Sequence, residues 1–165
     1  MKRAFWILVS MVSAPIFGQP SLDHLLKTYN TGSIPYLSAQ ELRMHQLNNS
    51  FVILDTREKA EFEVSHIANA QLIGFNSFSE KNPILKKLPL DTPIVVYCSL
   101  GIRSEKIGKK LKKLGFTHIK NLYGGIFEWK NEHYPIVDME GRETDTIHTF
   151  TKRWANYLTN GIKVN

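Results

Sequence analysis

Cys98 is the only cysteine among the 165 residues, and it opens the segment Cys98-Ser99-Leu100-Gly101-Ile102-Arg103-Ser104. Cysteine attacks as the thiolate. A thiol with a pKa of about 8.5 is only ~3% thiolate at pH 7, whereas one lowered to about 7 is ~50% thiolate. A loop that runs into a helix can supply that lowering. The first helical N–H groups have no partner in the helix and carry partial positive charge. Gly101 allows a tight turn that aims further N–H groups inward as an anion nest. Ser99, Leu100, Gly101, Ile102 and Ser104 are therefore expected to line a substrate site, with Cys98 as the catalytic nucleophile. The same N–H groups would stabilise a terminal persulfide, Cys–S–S⁻. Arg103 adds a permanent cation whose planar fork matches a thiosulfate or thiosulfonate oxyanion. The helix dipole does not favour arginine in a first turn, so Arg103 asks for an anion nearby. The plainer alternative makes Cys98 a small buried hydrophobe at a strand end. It leaves Gly101, Arg103 and the helix that follows unexplained.

The elements needed to position this loop can be read on both sides of it. Pro93-Ile-Val-Val-Tyr97 reads as a strand that ends at Cys98. Ile102 to Leu114 reads as the clearest helix, with Ile107, Leu111 and Leu114 on one face and Gly115 as its stop. His118–Leu122 is expected as a strand, and Gly124-Gly125 opens a short helix through Trp129 and Lys130. Upstream, Ser21–Asn30 has helical spacing, and Ser38-Ala-Gln-Glu41 is a capping box that starts another helix. Phe51–Leu54 reads as a buried strand ending in Asp55-Thr-Arg57-Glu58. Ala70–Ile73 is expected as a strand and Phe78–Leu88 as a helix containing Pro83. Strands alternating with helices indicate an α/β domain with a parallel sheet. Cys98 and Asp55 both fall at carboxyl ends of strands, where open α/β sheets bind ligands.

The composition excludes little but sets limits. The hydrophobic fraction is 42% and the charged fraction 22%, ordinary values for one globular domain. The formal charge of +6, from 21 Lys+Arg against 15 Asp+Glu, suits a small anionic substrate or an acidic partner. It does not establish nucleic-acid binding, and none is expected. Six scattered histidines show no metal-ligand spacing, so neither a metal nor another cofactor is expected. Lys2 and Arg3, the apolar stretch Ala4–Phe17 and the small residues Ser13, Ala14 and Gly18 have the layout of a signal peptide. The apolar part falls short of the ~20 residues of a spanning helix. The expectation is cleavage after Gly18, export to the periplasm or the exterior, and no membrane span afterwards. A retained N-terminal anchor is the alternative.

The residues around the cysteine carry a family resemblance. Cys98-x-x-Gly101-x-Arg103-Ser104 resembles the active-site loop of rhodanese-like domains. Leu54-Asp55-Thr56-Arg57-Glu58, Glu61-Phe62, His66-Ile67-x-x-Ala70, Val95-Val96-Tyr97-Cys98 and Gly124-Gly125-x-x-x-Trp129 resemble further segments of that family, in the family's order. Ser65 and Tyr134 stand where the family often has glycine, departures that touch turns and not the chemistry. The resemblance implies a five-stranded parallel sheet flanked by helices. It also implies sulfane-sulfur transfer through a cysteine persulfide, from a small anionic donor to a thiol, a protein cysteine or cyanide. Asp55, Arg57 and His66 resemble positions that brace the fold, and structural support is the role expected of them. Two alternatives are a cysteine-dependent phosphatase and a sulfur carrier without turnover. Phosphatases of related folds put five residues between cysteine and arginine, whereas four intervene here, from Ser99 to Ile102.

The resemblance spans roughly Ile34 to Pro135. The expected organisation is a signal peptide at 1–18, a helical extension at 19–33, the domain at 34–137 and a helical extension at 138–165. In the last, Ile147, Phe150, Trp154, Tyr157 and Leu158 fall on one stripe of a helix over Thr144–Leu158. That helix is expected to pack on its own domain, against Leu22–Tyr29. A partner subunit or a membrane surface is the alternative.

Overall fold

The computed structural model describes residues 20–48 and 50–165, so the segment read as a signal peptide lies outside the described residues. The elements run α1 (Leu22–Tyr29), β1 (Tyr36–Leu37), α2 (Ala39–Leu47), β2 (Val52–Asp55), α3 (Lys59–Val64), β3 (His66–Ile67), β4 (Gln71–Leu72) and α4 (Pro83–Lys87). They continue with β5 (Ile94–Tyr97), α5 (Ile102–Lys113), β6 (Ile119–Leu122), α6 (Gly125–Asn131), β7 (Ile136–Val137), β8 (Glu143–Thr144), β9 (Thr146–His148), α7 (Lys152–Ala155) and β10 (Ile162–Val164).

Five strands form the central sheet in the order β1-β6-β5-β2-β4, every neighbouring pair parallel. This is the expected α/β architecture. All four residues of β5 are buried, as befits a central strand covered on both faces. Its side chains alternate between two cores. Val95 and Tyr97 join Leu25, Leu42, Ile126 and Trp129 on the side of α1, α2 and α6. Ile94 and Val96 join Leu85, Ile107 and Leu111 on the side of α4 and α5. The middle of the sheet thus delivers Cys98 to a fixed point between the two helical layers.

Local signals explain most boundaries. Ser21 caps α1, and Ser38 with Glu41 closes the expected capping box of α2. The helix expected over Phe78–Leu88 begins only at Pro83. Proline at the first helical position loses no needed N–H, and the Asn82 side chain caps the Ile84 N–H at 2.9 Å. The sequence reading did not identify α3, whose entry is closed by Glu61 Oε2 accepting from the Glu58 N–H at 3.0 Å. It also missed the two-residue strands β1, β3, β7 and β8, which are too short to show a period.

The long helix over Thr144–Leu158 does not form. Strand β9 pairs in parallel with β10, in the register Thr146↔Ile162, Ile147↔Lys163 and His148↔Val164. Only Lys152–Ala155 is helical. β-branched residues dominate Thr144-Asp-Thr-Ile-His-Thr149, and they favour a strand. Asp145 accepts a hydrogen bond from Lys130 Nζ. The packing of the segment on its own domain is as expected. Ile147 and Leu158 are fully buried in the core beside α1 and α6. Trp154 meets Tyr29 of α1 edge-on at 6.4 Å, and the Tyr157 hydroxyl donates to the Pro20 carbonyl at 3.0 Å.

Candidate active site

Cys98 follows the last residue of β5, and its side chain is 2% exposed. The Gly101 N–H donates to Sγ at 3.1 Å. Ser104 Oγ lies 3.6 Å from Sγ and 2.7 Å from Asn121 Oδ1. A hydroxyl has one proton, so the shorter contact anchors Ser104 to β6. Burial pushes the Cys98 thiol up, but the Arg103 guanidinium and the backbone N–H groups of Ser104 and Gly101 outweigh it, and the thiol sits below its ordinary value.

The loop is shaped by what holds its carbonyls. The Cys98 carbonyl accepts from Ile126 N–H at 2.9 Å and the Ser99 carbonyl from Phe127 N–H at 3.2 Å, both in the first turn of α6. The Gly101 carbonyl accepts from Asn30 at 2.9 Å and from Asn121 at 2.8 Å. In a trans peptide the N–H points opposite to the carbonyl. Pulling these three carbonyls outward therefore turns the N–H groups of Ser99, Leu100 and Ile102 inward. Two glycines make this possible. Gly101 has φ +100°, and Gly125 has φ +57° with room for no Cβ, which would sit 2.2 Å from the Cys98 carbonyl oxygen.

Arg103 departs from the sequence expectation. Its Nη1 and Nη2 donate to Glu61 Oε2 and Oε1 at 2.7 and 2.6 Å, and Nη2 also reaches Ser99 Oγ at 3.0 Å. Ser99 Oγ in turn donates to Glu61 Oε1 at 3.1 Å. The fork expected to receive a donor oxyanion is occupied by a carboxylate that is 2% exposed. Arg103, not Glu61, is the charge of this pair that acts on the Cys98 thiol, and the pair with its bond to Ser99 Oγ fixes the loop. Burial pushes the Glu61 carboxyl up, but Arg103 and the Glu58 N–H bring it below its usual value.

Asp55 and Arg57 pair with each other at the end of β2. Arg57 Nη2 meets Asp55 Oδ2 at 2.7 Å and the Ser65 carbonyl at 2.7 Å, and both side chains are fully buried. They tie the end of β2 to the turn between α3 and β3. His66 is stacked on Phe62 at 3.9 Å with Nδ1 3.1 Å from the Phe62 carbonyl, a packed structural histidine.

A cavity of about 240 Å³ opens over Cys98. Phe75, Leu100, Ile102, Arg103, Lys106, Phe150 and Trp154 are among the residues that line it. Glu61, Phe75, Phe150 and Trp154 were not singled out as site residues in the sequence. Only Glu61 had a usable signal, the Glu58-x-x-Glu61 start of a helix. Among the described residues no three His, Cys, Asp or Glu side chains gather as they would around a metal ion. No helix among them is long and apolar enough to cross a membrane.

The family model of the rhodanese-like domain matches residues 38–132, more than half of the chain. The chain belongs to the rhodanese-like family. A tRNA uridine(34) hydroxylase of Leptospira interrogans is 34% identical over 146 residues, which are 87% of this chain and 38% of that protein. The chain thus spans under two-fifths of the length of the curated relatives it matches. A rhodanese-related protein of Thermoplasma volcanium is 32% identical with a TM-score of 0.55, covering 62% of this chain and 97% of the other. The polysulfide-sulfur transferase homodimer of Wolinella succinogenes is 26% identical with a TM-score of 0.55, covering 69% and 85%. Within this rhodanese-like domain, the matched region holds Cys98, Arg103, Glu61, Asp55 and Arg57. Phe150 and Trp154 lie beyond it.

Proposed function

We propose that this rhodanese-like chain is a sulfurtransferase that carries sulfane sulfur as a Cys98 persulfide. The observation that supports it is the buried Cys98 Sγ, which accepts from the Gly101 N–H at 3.1 Å under a cavity with room for a donor. Cys98 thiolate attacks the outer sulfur of a thiosulfate-like donor. A new S–S bond forms to Cys98, the donor's own S–S bond breaks, and its electron pair leaves with sulfite or a sulfinate. The terminal sulfur keeps one negative charge, facing the loop N–H groups. An acceptor then attacks that sulfur and frees the thiolate: cyanide gives thiocyanate, and a thiol or protein cysteine gives a new persulfide. A phosphatase reading is disfavoured because Glu61 holds the arginine fork that a phosphoryl group would need.

Intact mass after thiosulfate treatment tests this reading. A gain of one sulfur atom is expected on the native chain and none on Cys98→Ser. Thiocyanate formation by a folded Cys98→Ser protein would refute it. We also propose, from the N-terminal pattern alone, that the protein is exported. The native protein should then begin near Gln19 by N-terminal sequencing, and an intact Met1 in cytosol would refute this.

One observation favours a second reading, action on a tRNA. Curated relatives at 32–34% identity are tRNA uridine(34) hydroxylases, and Lys106, Lys110 and Lys113 lie exposed along α5. Phosphate contacts by such a row would make binding fall steeply with salt. Salt-dependent binding of a tRNA anticodon stem-loop, weakened by replacing these lysines with glutamine, would support it.

A further inference from the structure

We propose that the donor is a singly charged organic sulfane-sulfur compound with a flat apolar group, held by an aromatic clamp that the C-terminal segment completes. The proposal rests on the sulfurtransferase reading above and specifies its substrate class. The family match ends at residue 132, yet Phe150 and Trp154 reach back to wall the cavity over Cys98. Phe150 has a left-handed backbone with φ +64°, a conformation a bulky residue adopts only when its surroundings impose it. Its N–H donates to His148 Nδ1 at 3.0 Å, and the neighbouring Thr149 N–H donates to the Val164 carbonyl at 2.8 Å. This backbone holds the ring 4.4 Å from the Arg103 guanidinium while leaving the residue 45% exposed. Trp154 is steadied by Tyr29 at 6.4 Å and Tyr157 at 6.3 Å, and Phe75 lines the same cavity.

Volume and charge point the same way. Water would fill about 240 Å³ with roughly eight molecules, whereas thiosulfate brings only five heavy atoms. Thiosulfate is also a dianion, and Glu61 already neutralises Arg103. The charges left on the cavity wall are Lys106 and Glu58, which offset each other. A monoanion R–SO₂–S⁻ matches better. Its ring R enters between Phe75, Phe150 and Trp154, and its outer sulfur reaches Cys98. Attack forms Cys98–S–S⁻, breaks the donor S–S bond and releases R–SO₂⁻, so one negative charge enters with the donor and one leaves with the sulfinate.

The test compares kcat/KM for benzenethiosulfonate, methanethiosulfonate and thiosulfate with cyanide as acceptor, on the native chain. Benzenethiosulfonate is expected to exceed methanethiosulfonate by about tenfold or more, a gain of the size that apolar pockets give, and thiosulfate is expected to be slowest. Phe150→Leu and Trp154→Leu should each lower the benzene-to-methane ratio towards one. A native ratio near one, or thiosulfate as the fastest donor, overturns the clamp while the persulfide mechanism stands. Absence of a Cys98 persulfide with all three donors overturns both.

Discussion

Glu61 and Arg103 form a bidentate ion pair, Oε2–Nη1 2.7 Å and Oε1–Nη2 2.6 Å, that joins α3 to the first turn of α5 beside the nucleophile. Side-chain exposure is 2% for Glu61 and 14% for Arg103. Removing one member of a buried pair leaves the other unbalanced, at a cost of about 3–5 kcal/mol. Glu61→Gln is therefore expected to lose that much stability, as a shift in denaturant midpoint. The effect should depend on pH. The folded Glu61 carboxyl lies below its usual value, so its contribution is present above the unfolded value of 4.5 and is lost as pH falls through the lower folded one. The difference between native and Glu61→Gln proteins should shrink in that acid window.

The thiol of Cys98 should titrate below the ordinary range of a free cysteine thiol. Its alkylation rate against pH, or its ultraviolet thiolate absorbance, reads this directly. Arg103→Ala removes the largest influence that lowers it, so the midpoint should move up. A midpoint unchanged in Arg103→Ala would mean that the loop amides alone set the thiol.

Gly125→Ala is expected to damage the site from outside it. A Cβ at 125 would lie 2.2 Å from the Cys98 carbonyl oxygen and 2.8 Å from the Ser99 carbonyl carbon, both backbone atoms with no freedom to turn aside. Either α6 retreats from the loop or the loop shifts. A displacement on the order of 1 Å at reacting groups costs on the order of a hundredfold in rate. Persulfide formation should fall by that factor or more, with a lower melting temperature.

Ile147→Ala tests whether the C-terminal segment belongs to the domain. Ile147 is fully buried in the core that includes Trp129 and Leu158. Truncation of a buried isoleucine to alanine costs about 2–5 kcal/mol. The monomeric protein should show that loss in a denaturant melt. An unmoved midpoint would mean the segment is not part of the folding unit.

Much of this protein is legible locally. Four apolar residues before Cys98 require a buried strand, and Gly101 followed by an amphipathic run requires a turn into a helix. Cys98, as the lone thiol, stands out without any tertiary knowledge. The sheet order could be expected only through family resemblance. The C-terminal stripe misled, because apolar residues at helical spacing also fit a segment that winds over a core as β9, one helical turn and β10.

The amino-acid sequence by itself determined the lone thiol, its strand–loop–helix setting and the glycines that the loop geometry requires. Each rests on neighbours within a few residues, where backbone sterics and periodicity act. The tertiary structure alone decided that Arg103 is held by Glu61, 42 positions away in the chain, and that Phe150 and Trp154 line the cavity over Cys98. Such pairings depend on how α3 and the C-terminal segment pack around the end of the sheet. That packing is the joint outcome of two cores, and no local pattern of residues encodes it.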